Sequence, residues 1–165
     1  MTPNQILNAL GPEMQMQLLR YMQDEQRAAY KAIINTLAPQ RKLRPVFIFE
    51  KSKEKQAGWL LDQLRLRTNE GITEQIFQIW LLKGNAQMLI TFLDTVGIGH
   101  DGKGEIAELP KEITDEKAEE AVTALMAAHP AKNVAVYLAM FQMQRPGGWP
   151  AITKAIEARP ELKLA

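Results

Sequence analysis

His100 and Asp101 stand side by side in a glycine-rich stretch, and by type they are the pair in this chain best suited to moving a proton. An imidazole titrates near neutrality, so it can serve as general base or acid where a neighbour orients it and a pocket excludes water. The same stretch, Gly97-Ile98-Gly99-His100-Asp101-Gly102, satisfies the spacing G-x-G-x-x-G. In dinucleotide-binding proteins a strand delivers the chain to that glycine turn, which opens a helix whose N–H groups hold a pyrophosphate. Here a helical pattern precedes the glycines and Lys103-Gly104-Glu105-Ile106-Ala107-Glu108-Leu109-Pro110 follows, so no phosphate cradle is expected. Gly97 reads instead as the residue that ends a helix.

The run from His100 to Ile106 also echoes the centre of a calcium-binding EF-hand loop. With Gly104 at the sharp turn, the first loop position falls on Gly99, the fifth on Lys103 and the twelfth on Pro110. Those positions require oxygen ligands, the last a bidentate glutamate, so no calcium site is expected. Nucleophilic chemistry is equally short of parts. Ser52, the only serine, lies between Lys51 and Lys53 without a G-x-S-x-G context. The chain has no cysteine, which excludes thiolate catalysis, disulfides and cysteine-ligated metals. His129 precedes Pro130 and reads as turn punctuation. The carboxylates from Glu105 to Glu120 resemble a cluster, but Thr114 followed by Asp115 and Glu116 is the pattern of an N-cap with acids in the first helical turn. Neither a metal nor a cofactor is expected. An enzyme of unfamiliar type would have to work through His100 and Asp101.

The remaining chemistry-bearing stretch is basic. Arg41, Lys42, Arg44, Lys51, Lys53 and Lys55 outnumber Glu50 and Glu54, with Phe47 and Phe49 among them. Cations release counterions from phosphates and aromatic rings stack on bases, so such a mixture suits nucleic acid. Both phenylalanines, however, read as core.

The elements that must position these residues are helical. Thr2-Pro3 is an N-cap with proline at the first helical position, and the short helix it starts ends near Leu10. After Gly11-Pro12, one long helix is expected over 13–37, with Met14, Leu18, Met22, Ala29, Ile33 and Leu37 on an apolar stripe that Pro39 ends. Residues 45–50 suit a strand by composition, but no partner strand exists, so a helix running on through 53–64 is preferred. Two antiparallel hairpins follow, 72–82 with 86–96 and 115–128 with 131–144, separated by a long loop over 97–113. Loops of that length are often functional. The hairpins superpose at an offset of 46, Ile76 on Val122 and Phe92 on Leu138.

The expected fold is therefore all-α, a single helical domain over 1–165. It is a bundle of helical hairpins, with a short HEAT-like α-solenoid as the alternative. Residues 1–69 hold 11 Lys/Arg against 6 Asp/Glu, whereas 70–165 hold 9 against 13. Split charge of this kind orients encounters with partners. The opening residues carry no basic, then apolar, leader pattern, and no apolar run approaches the length of a membrane span. The expectation is a soluble cytoplasmic protein with no membrane contact. It is read as a non-enzymatic protein-interaction or scaffold module, self-associating through helix 13–37. Nucleic-acid binding through 41–55 is the alternative.

Overall fold

The structure, a computed structural model, describes residues 1–164. Ten α-helices and no β-strand occur among them, so the all-α expectation holds. The chain divides into two compact units, one from Thr2 to Trp80 and one from Leu81 onward. The boundary falls near the end of the first helix expected for the hairpin 72–82 with 86–96.

In the N-terminal unit, α1 (Pro3–Ala9) opens with a capping box. The Thr2 hydroxyl accepts from the Gln5 N–H, and the Gln5 side chain accepts from the Thr2 N–H at 2.8 Å. The long helix expected over 13–37 is two helices, α2 (Pro12–Glu25) and α3 (Arg27–Gln40), broken at Gln26, whose φ of −128° and ψ of 51° are not helical. A straight helix over 13–37 would run about 37 Å, longer than a small domain is wide. The polar run Gln23-Asp24-Glu25-Gln26-Arg27 has no apolar side chain to lose from the core by bending. The break lets Leu18 and Met22 on one helix, and Ile34 and Leu37 on the other, all be buried.

Pro39 lies within the last turn of α3, and the helix ends at Gln40. The Leu43 N–H donates to the Ala38 carbonyl and the Lys42 N–H to the Pro39 carbonyl, a Schellman closure with Lys42 in the left-handed region at φ 57°. The helix expected from Pro45 onward is also divided, into α4 (Pro45–Phe49) and α5 (Lys53–Leu64). Ser52 caps α5 by accepting the Lys55 N–H, which gives the lone serine a structural role. Helix α6 (Glu70–Ile79) follows and leaves through a π-helical turn, Trp80–Gly84. Within this unit α1 packs on α6, α2 on α5 and α3 on α4.

The C-terminal unit holds α7 (Ala86–Val96), α8 (Asp115–Ala128), α9 (Ala131–Gln142) and α10 (Pro150–Glu157). Its core is aromatic. Phe92 meets Tyr137 and Phe141 edge-on at 5.2 and 5.0 Å, and Phe141 stacks on Trp149 at 4.6 Å. The α8–α9 hairpin forms about His129-Pro130, as the sequence reading has it. Helix α8, however, packs chiefly on α7 and α10 rather than on its hairpin partner. A HEAT-like array, which pairs the helices of each repeat first, is not confirmed by that arrangement. No single helix among the described residues is long and apolar enough to cross a membrane.

Candidate functional site

The long loop over 97–113 is folded onto the unit that carries it. Gly97 closes α7 at φ 79°, with the Ile98 N–H donating to the Leu93 carbonyl and the Gly97 N–H to the Asp94 carbonyl. Ile98 is buried, and His100 and Ile106 form an isolated antiparallel bridge. The His100 ring does not pair with Asp101. Its Nδ1 accepts the Gly102 N–H at 3.0 Å, which leaves the ring proton on Nε2, 2.7 Å from Asp94 Oδ1. Asp101 Oδ1 accepts the N–H groups of Lys103 and Glu105 at 2.8 and 3.1 Å. Those bonds, the Lys103 one foremost, hold the Asp101 carboxyl below the ordinary aspartate range.

The pair thus braces a turn. Both ring nitrogens are bonded within the chain, and Asp101 Oδ1 serves two amides. The far end of the loop is tied down as well: Trp149 Nε1 donates to the Pro110 carbonyl and Arg145 Nη1 to the Lys111 carbonyl. Gly104 is buried against Leu89, and a Cβ there would stand 3.1 Å from the Leu89 Cβ. Among the described residues no three Asp, Glu, His or Cys side chains are grouped to hold a metal ion. The acids that follow the loop act locally or across helices. Thr114 accepts the Lys117 N–H as the N-cap of α8, Asp115 pairs with Lys154 at 3.0 Å, and Glu119 makes a two-pronged pair with Arg159. The Lys154 pair joins α8 to α10, and the Arg159 pair joins α8 to the residues just beyond α10.

The basic stretch is arranged differently from the sequence expectation. Arg41 donates from Nε to Gln63 Oε1 at 2.8 Å, and Lys53 pairs with Asp24 at 2.9 Å, which holds the Asp24 carboxyl below its ordinary value. These two cations are engaged within the unit. Lys42, Arg44, Lys51 and Lys55 are exposed and make no side-chain ion pair among the described residues. The apolar side chains between them are the correction. Phe47, expected in the core, is 54% exposed, with Val46 at 50% and Leu43 at 37%, while Ile48 alone on α4 is buried at 1%. Phe49 is half-buried. A five-residue helix has one inward-facing position to spare, and Ile48 takes it; its neighbours Val46 and Phe47 are left outside.

The base of this projecting segment is fixed from within. The Gln56 amide nitrogen donates to the carbonyls of Phe49 and Lys51, at 3.1 and 2.8 Å, the two groups left open where α4 ends. Gln56 Oε1 accepts from the Tyr30 hydroxyl, and Gln23 Nε2 donates to that hydroxyl and to the Lys53 carbonyl. Sequence reasoning missed the exposed Leu43, Val46 and Phe47. The signal was present in spacing: Pro45 and the Ser52 cap leave too few residues between them for a helix that buries two rings.

Comparison with protein-family models, curated proteins and solved structures finds no match to this chain.

Proposed function

We propose that this chain is a non-enzymatic interaction module that meets its partner through residues 41–47. One observation carries the reading: Leu43, Val46 and Phe47 are exposed together, interleaved with Arg41, Lys42 and Arg44. Apolar side chains scattered singly are ordinary on a protein surface, whereas a group of them marks a contact. The catalytic alternative has less support, because His100 is held between Asp94 of α7 and the Gly102 N–H, while Asp101 Oδ1 accepts two amides of its own turn.

The test is to place p-benzoylphenylalanine at position 47 and irradiate the protein in a native lysate that retains its membranes. Position 31, an exposed site on α3, serves as control. We expect an adduct at 47 that the control lacks and that Leu43→Ser with Val46→Ser removes. Equal labelling at both positions would end the reading. A nucleic-acid partner is the second reading, favoured by the exposed Phe47 ring among cations. It predicts salt-sensitive retention of single-stranded DNA or RNA, abolished by reversing the charges of Arg41, Lys42 and Arg44.

A further inference from the structure

We infer that the partner of this segment is an anionic lipid surface, on which Val46 and Phe47 insert while Lys42, Arg44 and Lys51 lie among the headgroups; the inference rests on the interaction reading above. Three features of the segment distinguish this occupant from others. The first is projection. Gln40, Arg41, Lys42, Leu43, Arg44, Val46 and Phe47 are all exposed, with only Pro45 partly covered among them. Residues that follow one another through a turn and into a helix point in different directions, so exposure of nearly all of them describes a protruding knuckle. A knuckle enters a soft surface, whereas a groove receives a helix.

The second feature is charge. From Gln40 to Phe49 there is no Asp or Glu, while Arg41, Lys42 and Arg44 are present, and the exposed Glu50 that follows adjoins Lys51. The occupant that complements this is anionic. The third is the kind of polar contact on offer. Between Arg41 and Phe47 no side chain bears a neutral amide or hydroxyl, so directional recognition of a folded partner has little to use. Long flexible cations around an apolar tip match a fluid surface, where charge and insertion depth average over many headgroups. Nucleic acid complements the cations and the Phe47 ring but leaves the aliphatic Leu43 and Val46 against phosphates. Such contact lies on a membrane and requires no helix that crosses one.

Insertion and charge attraction are each weak alone, so both are needed for stable binding. Co-sedimentation of the full chain with phosphatidylcholine vesicles, with and without phosphatidylserine, tests this. Binding is expected only where phosphatidylserine is present. It should weaken about fivefold for each of Lys42→Ser and Arg44→Ser, and more than tenfold for Val46→Ser with Phe47→Ser. These side chains are exposed, so an unchanged circular-dichroism melt confirms that each variant is folded. A Phe47→Trp variant adds an independent readout, a blue-shifted emission that appears on the anionic vesicles alone.

Absence of binding to either vesicle would overturn the inference, as would equal binding to the neutral vesicles or binding that Val46→Ser with Phe47→Ser leaves intact. The crosslink at position 47 separates the two failures. A protein or nucleic-acid adduct there without vesicle binding sinks the lipid inference and keeps the interaction reading; no specific adduct and no vesicle binding removes both.

Discussion

The Tyr30 hydroxyl donates to Gln56 Oε1 at 2.9 Å, joining α3 to α5 inside the N-terminal unit. Gln56 then commits its amide nitrogen to two backbone carbonyls, so one buried side chain closes three polar accounts. Removing the hydroxyl leaves Gln56 Oε1 without its donor in a buried setting. Tyr30→Phe is expected to cost about 1–2 kcal/mol, and Gln56→Ala about 2–4 kcal/mol because the Phe49 and Lys51 carbonyls also lose their donor. Urea unfolding measures both. A Gln56→Ala variant as stable as the parent would show that water replaces the amide at no cost.

Lys42 occupies, at φ 57°, the left-handed position where helices ordinarily end in glycine, and Gly97 occupies the equivalent position after α7 at φ 79°. The two sites should respond oppositely. Lys42→Gly is expected to stabilise by about 0.5–1 kcal/mol, and Gly97→Ala to destabilise by about 1 kcal/mol. A thermal melt of each variant decides the sign.

Gly104 combines a φ of 102° with a backbone that sits against Leu89. Gly104→Ala should therefore cost about 1–3 kcal/mol, since both the dihedral and the contact resist a Cβ. Hydrogen exchange should show faster exchange at the amides that Asp101 accepts, those of Lys103 and Glu105. Unchanged protection there would mean that the loop holds its turn without help from the packing of Gly104.

The Arg159 guanidinium, first by its hydrogen bonds and then by its charge, holds the Glu119 carboxyl below the usual glutamate value. A depressed folded value favours the folded state above the unfolded value, about 4.3, and the benefit fades as pH falls through the folded one. Glu119→Gln should lower the melting temperature at neutral pH, by a small amount because the carboxylate is exposed. The difference from the parent should shrink progressively as pH is lowered from about 4.3. A gap that stayed constant down to strong acid would place its origin in packing.

The single-domain expectation can be put to the test with the tryptophans. Trp59 lies in the N-terminal unit and Trp149 in the core of the C-terminal unit. One domain predicts a shared unfolding midpoint when each is the sole tryptophan; separate midpoints would make the two units domains in their own right.

Helix type and caps were legible because they depend on residues close in sequence. Thr2 with Pro3, Thr114 with its acids, Gly97, and the His129-Pro130 turn act within one or two turns of chain. The division at Gln26 was not legible, because nothing local forces it: the residues around it are good helix formers, and the gain comes from stacking two apolar stripes in one core. The same holds for α4. Phe47 is as apolar as Phe49, and what leaves it outside is the short distance from Pro45 to the Ser52 cap. At the candidate surface the cations could be named from sequence, but which of them are engaged depended on long-range partners, Asp24 for Lys53 and Gln63 for Arg41. The neighbours His100 and Asp101 suggested a pair, and the turn they build points them at different groups.

The grip of Gln56 on the carbonyls of Phe49 and Lys51 has a bearing on affinity as well as on stability. A loop that must become ordered when it binds loses part of its contact energy to that ordering. The segment bearing Val46 and Phe47 gave up its backbone freedom when the unit folded, through bonds made behind it and out of reach of any partner. Its pose is therefore inherited from the interior. A substitution at a residue the partner never touches, such as Gln56, should slow association by making the surface search for its own shape first.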